Sequence, residues 1–365
     1  MTIWLSAGEP SGDRWGARLA QALWKCEPKL RIVGMGGQQM RSAGVDAFAP
    51  PGGGIMGFTE PILRVGAVVA RYRRATALLG REPPAAAVVI DYPGFHLRFL
   101  KRVRERGIPA VYVIPPQVWA WRPERAKLVA ALCHRVVTAF EWERPWYTPW
   151  MSEEHVLWCG HPLADHVAEI STSSEAPDGR PLALLPGSRR AEIMRLAPLM
   201  AAASRRLQIP AAFAADREET LSCMRDAVGG QFQGGFGFVQ GRTIEVMREA
   251  RAAVVCAGTA TLEAASLGVP TVVVYRTDWL TYRIARRFVG IPWVGLPNIV
   301  LGRAAYPELV QDDLDVRSLT DHLRRVLSTP PERWQALGRE LRAHLGPPGV
   351  FDRIASVVLS VASEA

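Results

Sequence analysis

The 365-residue chain contains no CxxC pair, no HExxH and no run of about 18 or more consecutive apolar residues. The first two gaps remove the usual dithiol and catalytic-zinc signatures, and the histidines, His161 and His166 of GHPLADH among them, show no zinc spacing. The third leaves nothing long enough to cross a bilayer as one helix. Five cysteines, Cys26, Cys133, Cys159, Cys223 and Cys256, are scattered, and residues 1–10 lack the basic start and apolar core of a secretory leader. The expectation is a cytoplasmic protein with reduced, mostly buried thiols. No repeat at a period of about 20 to 50 residues is visible, which argues against a solenoid.

What is present describes an ordinary globular chain of 48% hydrophobic and 22% charged residues, long enough for two domains of roughly 150 to 180 residues each. The net charge of +9, from 44 Lys and Arg against 35 acids, favours an anionic partner without choosing among nucleic acid, anionic lipid and a phosphorylated substrate. Short branched apolar runs alternate with helical periodicity, as in AAAVVIDYPGF, LRFLKRVRERG and IPAVYVIPPQ. A second series runs through PLALLPGSRRAEIMRLAPLMAAASRRL and AAVVCAGTATLEAASLGVPTVVVY. That alternation predicts an α/β fold of two doubly wound, Rossmann-like domains facing a cleft, with ligands at the carboxyl ends of the strands. The aperiodic ISTSSEAPDGR at 170–180 is the expected linker between domains at 1–169 and 181–345, and GVFDRIASVVLSVAS within 346–365 is an expected helix packing back on the first domain.

Four stretches could carry chemistry. In LALLPGSRRAE, residues 182–192, a buried strand enters a Pro-Gly-Ser turn and a helix beginning near Arg190, so that Gly187, Ser188, Arg189 and free amides suit a diphosphate. A plain turn with an N-capping serine fits the same letters but accounts less readily for the arginine pair. In VVCAGTATLEAASLGVP, residues 254–270, Gly258 and Thr259 offer a second phosphate-type turn, and Glu263 can bind a ribose diol. Two such turns in one domain indicate one nucleotide. In VVIDYPGFH, residues 88–96, Asp91 follows a strand and is a candidate general base or a turn former, with His96 in a supporting or surface position. In SAGEPSGDRWGAR, residues 6–18, the spacing is not GxGxxG and the acids Glu9 and Asp13 suit sugar hydroxyls better than phosphate. Gly8 and Gly12 are expected to allow close approach there, and Ser11 to start the helix.

The Asp-x-Asp pair in DDLD, residues 312–315, could hold a divalent ion, but the helical VRSLTDHLRRVL that follows favours capping, and no metal or other cofactor is expected. Tryptophan and basic residues cluster in VWAWRPERAK (118–127), FEWERPWYTPWM (140–151) and WLTYRIARRFVGIPW (279–293). They suit an anionic membrane surface, with residues 279–288 as a basic amphipathic helix, a packed core, or RNA stacking.

Taken together and in order, the motifs AGEPSGD (7–13), MGFTE (56–60), IDYPGF (90–95), PPQVWAWRPER (115–125), GHPLAD (160–165), LLPGSRRAEI (184–193), AGTATLEAASLGVPTVVVYR (257–276) and LPNIVLGR (296–303) resemble lipid-A-disaccharide synthase, a glycosyltransferase of the GT-B architecture. The resemblance implies metal-independent, inverting transfer of 2,3-diacylglucosamine from its UDP derivative to 2,3-diacylglucosamine 1-phosphate, giving the β-1,6-linked lipid A precursor. It implies peripheral attachment to the inner face of the inner membrane, and a homodimer with exchanged carboxy-terminal portions; nucleic acid is not an expected partner.

Carried over by motif, Asp91 matches the family's essential aspartate, Arg189 its important arginine, Glu263 the ribose-binding acid and Asn298 a residue near the nucleotide. Asp91 is the first choice of base, with Glu9 or Asp13 next. The acceptor side is assigned to Gly8, Ser11, Gly12, Glu60, His96, Gln117, Trp119, Trp121 and Arg122. The chain departs from the family at His96, where Asn is usual, and at Pro115, where Ser is usual; both bear on acceptor preference. A UDP-N-acetylglucosamine 2-epimerase or another lipid-linked transferase would keep the nucleotide half but need not carry AGEPSGD, IDYPGF and QVWAWR. A non-catalytic nucleotide- or RNA-binding module fits the charge but lacks an RNA motif.

Overall fold

The computed structural model describes residues 1–49, 61–169, 180–229, 236–279, 282–283 and 290–364. Contacts divide the chain into one compact unit of Met1–Asp165 with Leu345–Ala365 and another of His166–Arg287 with Ile291–His344. The linker expected at 170–180 lies, except for Arg180, outside the described residues.

In the first unit, strands β1 Thr2–Ala7, β2 Arg31–Met35, β3 Asp46–Phe48, β4 Ala86–Ile90, β5 Ala110–Val113, β6 Arg135–Thr138 and β7 Val156–Trp158 form a parallel sheet in the order β3-β2-β1-β4-β5-β6-β7. Between them run α1 Pro10–Cys26, α2 Gln38–Ser42, α3 Pro61–Arg81, α4 Pro93–Glu105 and α5 Arg125–Leu132, with α6 Leu163–Ala168 after β7. Every residue of β4, AAVVI, is buried, as expected of a central parallel strand covered on both faces. α1 starts at Pro10, whose missing amide is no loss in a first turn, and it buries Trp15, Leu19 and Leu23 at a spacing that keeps them on one face. Its N-cap is Glu9, which corrects the expectation that Ser11 starts this helix.

The second unit repeats the pattern with β8 Leu182–Leu185, β9 Ala211–Ala215, β10 Phe236–Gln240, β11 Ala252–Cys256, β12 Thr271–Tyr275 and β13 Glu308–Val310, parallel in the order β10-β9-β8-β11-β12-β13. Its helices are α7 Arg190–Leu207, α8 Glu218–Val228, α9 Thr243–Arg248, α10 Thr259–Ser266, α11 Leu296–Leu301, α12 Val316–Ser328 and α13 Pro331–Leu345. Each sheet therefore reverses its strand order once, between β1 and β4 and between β8 and β11. At such a reversal the loops leaving the two neighbouring strands turn to opposite faces and open a crevice, which is where ligands of this fold class bind.

The last helix, α14 Val350–Ser363, returns to the first unit and buries Ile354, Val358 and Val361 there. Asp165 caps it, accepting from the amides of Gly349, Val350 (3.0 Å) and Phe351 (3.2 Å). The His161 amide donates to Leu345 O at 2.7 Å, and Arg353 Nε donates to Cys159 O at 3.0 Å. GHPLAD is thus the docking segment for the carboxy-terminal helix. The stretch Pro331–Ser363 is long and apolar enough to cross a membrane by composition alone, but it breaks after Leu345 into helices of 15 and 14 residues, each short of the ~20 a crossing needs.

Candidate active site

The parallel pairing of Ala7 with Ile90 sends Gly8–Glu9 and Asp91–Tyr92 out from the same edge of the first sheet, at its reversal point. Asp91 (φ 49°) and Tyr92 (φ 54°) both lie in the left-handed region, a strain of about 1–3 kcal/mol for each non-glycine residue. Neighbouring groups hold them there. The Asp91 amide donates to Val113 O at 3.0 Å, and the Asp91 carbonyl accepts from Tyr112 Oη at 3.1 Å and His96 Nδ1 at 2.6 Å. A carbonyl can only accept, so Nδ1 carries the proton; Nε2, 2.9 Å from Ser6 Oγ, then accepts from that hydroxyl. Burial lowers the His96 pKa to about 4, so the imidazole is neutral near pH 7.

Several expectations for this loop change. A Cβ on Gly8 would collide with the Tyr92 ring, so Gly8 makes room for that ring and not for a ligand. A Cβ on Gly12 would sit 3.4 Å from Ala7 Cβ and 3.8 Å from Ile90, so its smallness serves the packing of α1 on the sheet. Asp13 is 8% exposed and accepts from the amides of Gly37 (2.7 Å), Gln39 (3.0 Å) and Met40 (3.1 Å). Both its oxygens satisfy the start of α2, which removes it as a base or sugar ligand. His96 is fully buried and contacts the Asp91 carbonyl, so it presents no surface to an acceptor. Asp91 and Glu9, both half-buried, remain as the acids at this point. Burial and the Glu9 charge raise the Tyr92 phenol pKa.

In the QVWAWR stretch, Gln117, Trp121 and Arg122 are exposed and Trp119 is half-buried, its indole donating to Glu143 Oε1 at 2.7 Å. Glu143 is buried and also accepts from the amides of Ala139 (2.9 Å) and Phe140 (3.2 Å); burial outweighs these donors and raises its pKa to about 7. The tryptophan-rich 140–151 segment divides between roles that the sequence left as alternatives. Phe140 and Tyr147 are core, and Trp142 stacks on Phe140 at 5.6 Å. Trp121, Trp146 and Trp150 are 43%, 42% and 50% exposed, with Arg122 over the Trp121 ring and Lys127 over that of Trp150. Glu60, and most of the helix expected at 279–288, lie outside the described residues; Trp279 is exposed beneath Arg283.

At the reversal point of the second sheet, the turn after β8 and the turn after β11 both lead into helices. Gly187 has φ 102°, which favours glycine, and the N-cap of α7 is Arg189; the exposed Ser188 is therefore not the capping serine of the plain-turn alternative. Glu192, in the first turn of α7, accepts from Arg189 Nη1 at 2.9 Å and lies over Gly187 closely enough to collide with any Cβ there. A carboxylate thus sits beside the glycine turn and pairs with the arginine expected to hold a diphosphate. Glu192 was missed in the motif reading, although its position three residues after Arg189 is that of a first-turn acid reaching back to a helix start. Burial of the Cys256 thiol and the Tyr275 phenol at the ends of β11 and β12 raises their pKa values, and the Glu192 charge adds to the shift.

Gly258, the N-cap of α10, is exposed, and a Cβ on it would meet only Cys256 O at 4.0 Å, so this turn is open to a ligand. Thr259 begins the helix and Glu263 is buried within it, 4% exposed. Asn298 does not fit the nucleotide role. Its Nδ2 donates to Tyr306 O and Glu308 Oε1, and its Oδ1 accepts from the amides of Ala305 and Tyr306, all at 2.8 Å. That exhausts the usual capacity of an amide side chain, and Asn298 is 1% exposed. Asp315 caps α12 by accepting from Ser318 N at 2.7 Å, as its place before that helix predicts.

A model of the family described as lipid-A-disaccharide synthetase matches residues 3–336. The chain is 35% identical over 375 residues to the lipid-A-disaccharide synthase of Syntrophus aciditrophicus (strain SB), covering 98% of this chain and 97% of the relative. It is 35% identical over 380 residues to that of Anaeromyxobacter dehalogenans (strain 2CP-C), with the same coverage. Among solved structures, UDP-GlcNAc 2-epimerase from Neisseria meningitidis bound to UDP-GlcNAc superposes with a TM-score of 0.65 over 100% of both chains at 11% identity, a likeness of fold alone. The epimerase alternative therefore has only the shared architecture, whereas the full-length sequence matches run through both sheets and the loops at both reversal points: the chain belongs to the lipid-A-disaccharide synthase family.

Proposed function

We propose that this protein transfers 2,3-diacylglucosamine from its UDP derivative to the 6-hydroxyl of 2,3-diacylglucosamine 1-phosphate, with inversion, to form the β-1,6-linked lipid A disaccharide precursor. Beyond family membership, the observation that carries the reading is the different chemistry of the two reversal points: acids at one, a glycine, an arginine and helix amides at the other. In the proposed step the Asp91 carboxylate takes the acceptor hydroxyl proton as that oxygen attacks the anomeric carbon. The bond from that carbon to the β-phosphate oxygen breaks, and UDP leaves. Arg189 and the amides at the starts of α7 and α10 stabilise the charge that develops on the diphosphate, and Glu263 takes the ribose diol. Glu9 serves as the second acid at the acceptor sugar.

The exposed Trp121, Trp146 and Trp150, two of them beneath cations, suit docking to an anionic bilayer from which acylated substrates are drawn, placing the enzyme on the cytoplasmic face of the inner membrane. Flotation with anionic vesicles at rising salt tests the docking, and sedimentation equilibrium tests the homodimer. The reaction is tested by incubating the protein with both lipids and EDTA and weighing the product by mass spectrometry. Disaccharide is expected, and Asp91→Asn should abolish turnover while UDP still binds. Failure to form disaccharide from protein that binds UDP would overturn the reading.

A further inference from the structure

We infer that His96 and Tyr112 are positioning residues, a two-donor clamp on the Asp91 carbonyl that fixes the direction in which the Asp91 carboxylate projects. The inference rests on the reading of Asp91 as the base. Neither residue needs to touch substrate: His96 is fully buried on α4 and Tyr112 fully buried on β5.

Two adjacent non-glycine residues in the left-handed region do not stay there unaided. The carbonyl between them is the natural place to hold them, because its orientation is set by ψ of Asp91 and φ of Tyr92. Two donors from different elements reach that one oxygen, His96 Nδ1 at 2.6 Å and Tyr112 Oη at 3.1 Å, and a carbonyl oxygen has a lone pair for each. Ser6 Oγ at 2.9 Å fixes the imidazole from the β1 side, so the clamp joins α4, β1 and β5 around the end of β4. Gly8, directly after β1, leaves space for the Tyr92 ring, which a larger residue would push out of this conformation. Losing the clamp lets the 91–92 peptide turn toward ordinary φ, and the carboxylate swings with it. A displacement of about 1 Å at a reacting group can cost on the order of 100-fold in rate.

The test combines steady-state kinetics with backbone hydrogen exchange at residues 91–95 in full-length protein. Tyr112→Phe deletes one hydroxyl and should lower kcat by about 10-fold with KM for both lipids within about 2-fold of wild type. His96→Leu removes the ring donor and should lower kcat by about 100-fold. His96→Asn, whose amide can donate to the same carbonyl, should recover at least about 10-fold of that loss, a rescue that general core packing does not explain. Both Tyr112→Phe and His96→Leu should speed exchange at 91–95. Wild-type kcat in Tyr112→Phe, or a raised KM at unchanged kcat, overturns the clamp; should His96→Leu fail to fold, Tyr112→Phe decides. Exchange separates the two readings: if the wild type forms no disaccharide but the variants exchange faster at 91–95, the reaction is overturned and the clamp stands.

Discussion

Replacing Asn298 by Asp changes one side-chain group and removes two hydrogen bonds. The carboxylate can still accept from the amides of Ala305 and Tyr306, but it can no longer donate to Tyr306 O or to Glu308 Oε1, each 2.8 Å from Nδ2. The lost bond to a charged acceptor is worth about 1.5–3 kcal/mol and the lost neutral one about 0.5–1.5 kcal/mol. Two carboxylates at this separation repel by a further ~6 kcal/mol at an effective dielectric constant of about 20, unless one of them takes a proton. A proton shared between the introduced carboxyl group and Glu308 restores the second bond, so the penalty should depend on pH. The expected destabilisation is about 4 kcal/mol or more at pH 8 and about half that at pH 5. For a unit of this size that is a fall of roughly 8–16 °C in Tm at pH 8.

Asn298→Ala provides the comparison, because it strands the two amides and both acceptors at any pH and should cost about 3–4 kcal/mol at pH 5 and pH 8 alike. Differential scanning calorimetry at the two pH values measures both variants. Calorimetric titration with UDP at about 10 °C, where folded protein persists, should give Kd within about 2-fold of wild type for each. A variant with wild-type Tm at pH 8 and UDP binding weakened more than about 10-fold would refute the reasoning, because Asn298 would then face the nucleotide.

Asp13→Ala should lower stability by about 2–4 kcal/mol in urea unfolding, since three amides at the start of α2 lose their acceptor, and should leave UDP affinity unchanged. Glu192→Gln should tighten UDP binding by about 5- to 10-fold in calorimetric titration, because a carboxylate no longer competes with diphosphate for Arg189; weaker binding would show that Glu192 assists the nucleotide. His96 and His161, lowered by burial to about 4 and about 3, stay neutral in the folded state while the unfolded chain takes up protons below about 6.5. Their stabilisation is therefore complete above pH 6.5 and falls by about 1.4 kcal/mol per pH unit for each histidine below it, until the folded-state pKa of about 4 for His96 or about 3 for His161 is reached. Glu143, raised to about 7, acts oppositely, since the folded state gains a proton between 7 and about 4.5 that the unfolded chain does not. Glu143→Gln should steepen the loss of stability between pH 6.5 and 4.5 from about 1.4 to about 2.7 kcal/mol per unit, measured by urea unfolding; an unchanged slope would contradict the assignment.

The two sheets were legible because central parallel strands such as AAVVI and AAVVC are uniformly apolar and return after each helical stretch. The side chains that changed role are polar or small residues whose partners are set by tertiary structure. Asp13 answers amides at 37–40, Asn298 answers a loop at 305–306, and Gly8 answers a ring at 92; nothing in the local spacing names any of these. Glu192 is the converse case, a near neighbour of Arg189 whose position was readable but whose chemistry ran against the phosphate reading of its motif. Motif letters alone therefore do not separate a ligand-binding group from one that supports the loop carrying it. Counting each group's remaining hydrogen-bond capacity does separate them: Asp13 has both of its oxygens, and Asn298 all four of its bonds, committed to the fold. The turn at Gly258 has open space where a side chain would be, which leaves room for a ligand. Asp91 meets a further condition, because it and Tyr92 are held in the left-handed region by donors from α4 and β5. Conformational strain of this kind persists where the direction of a functional group matters.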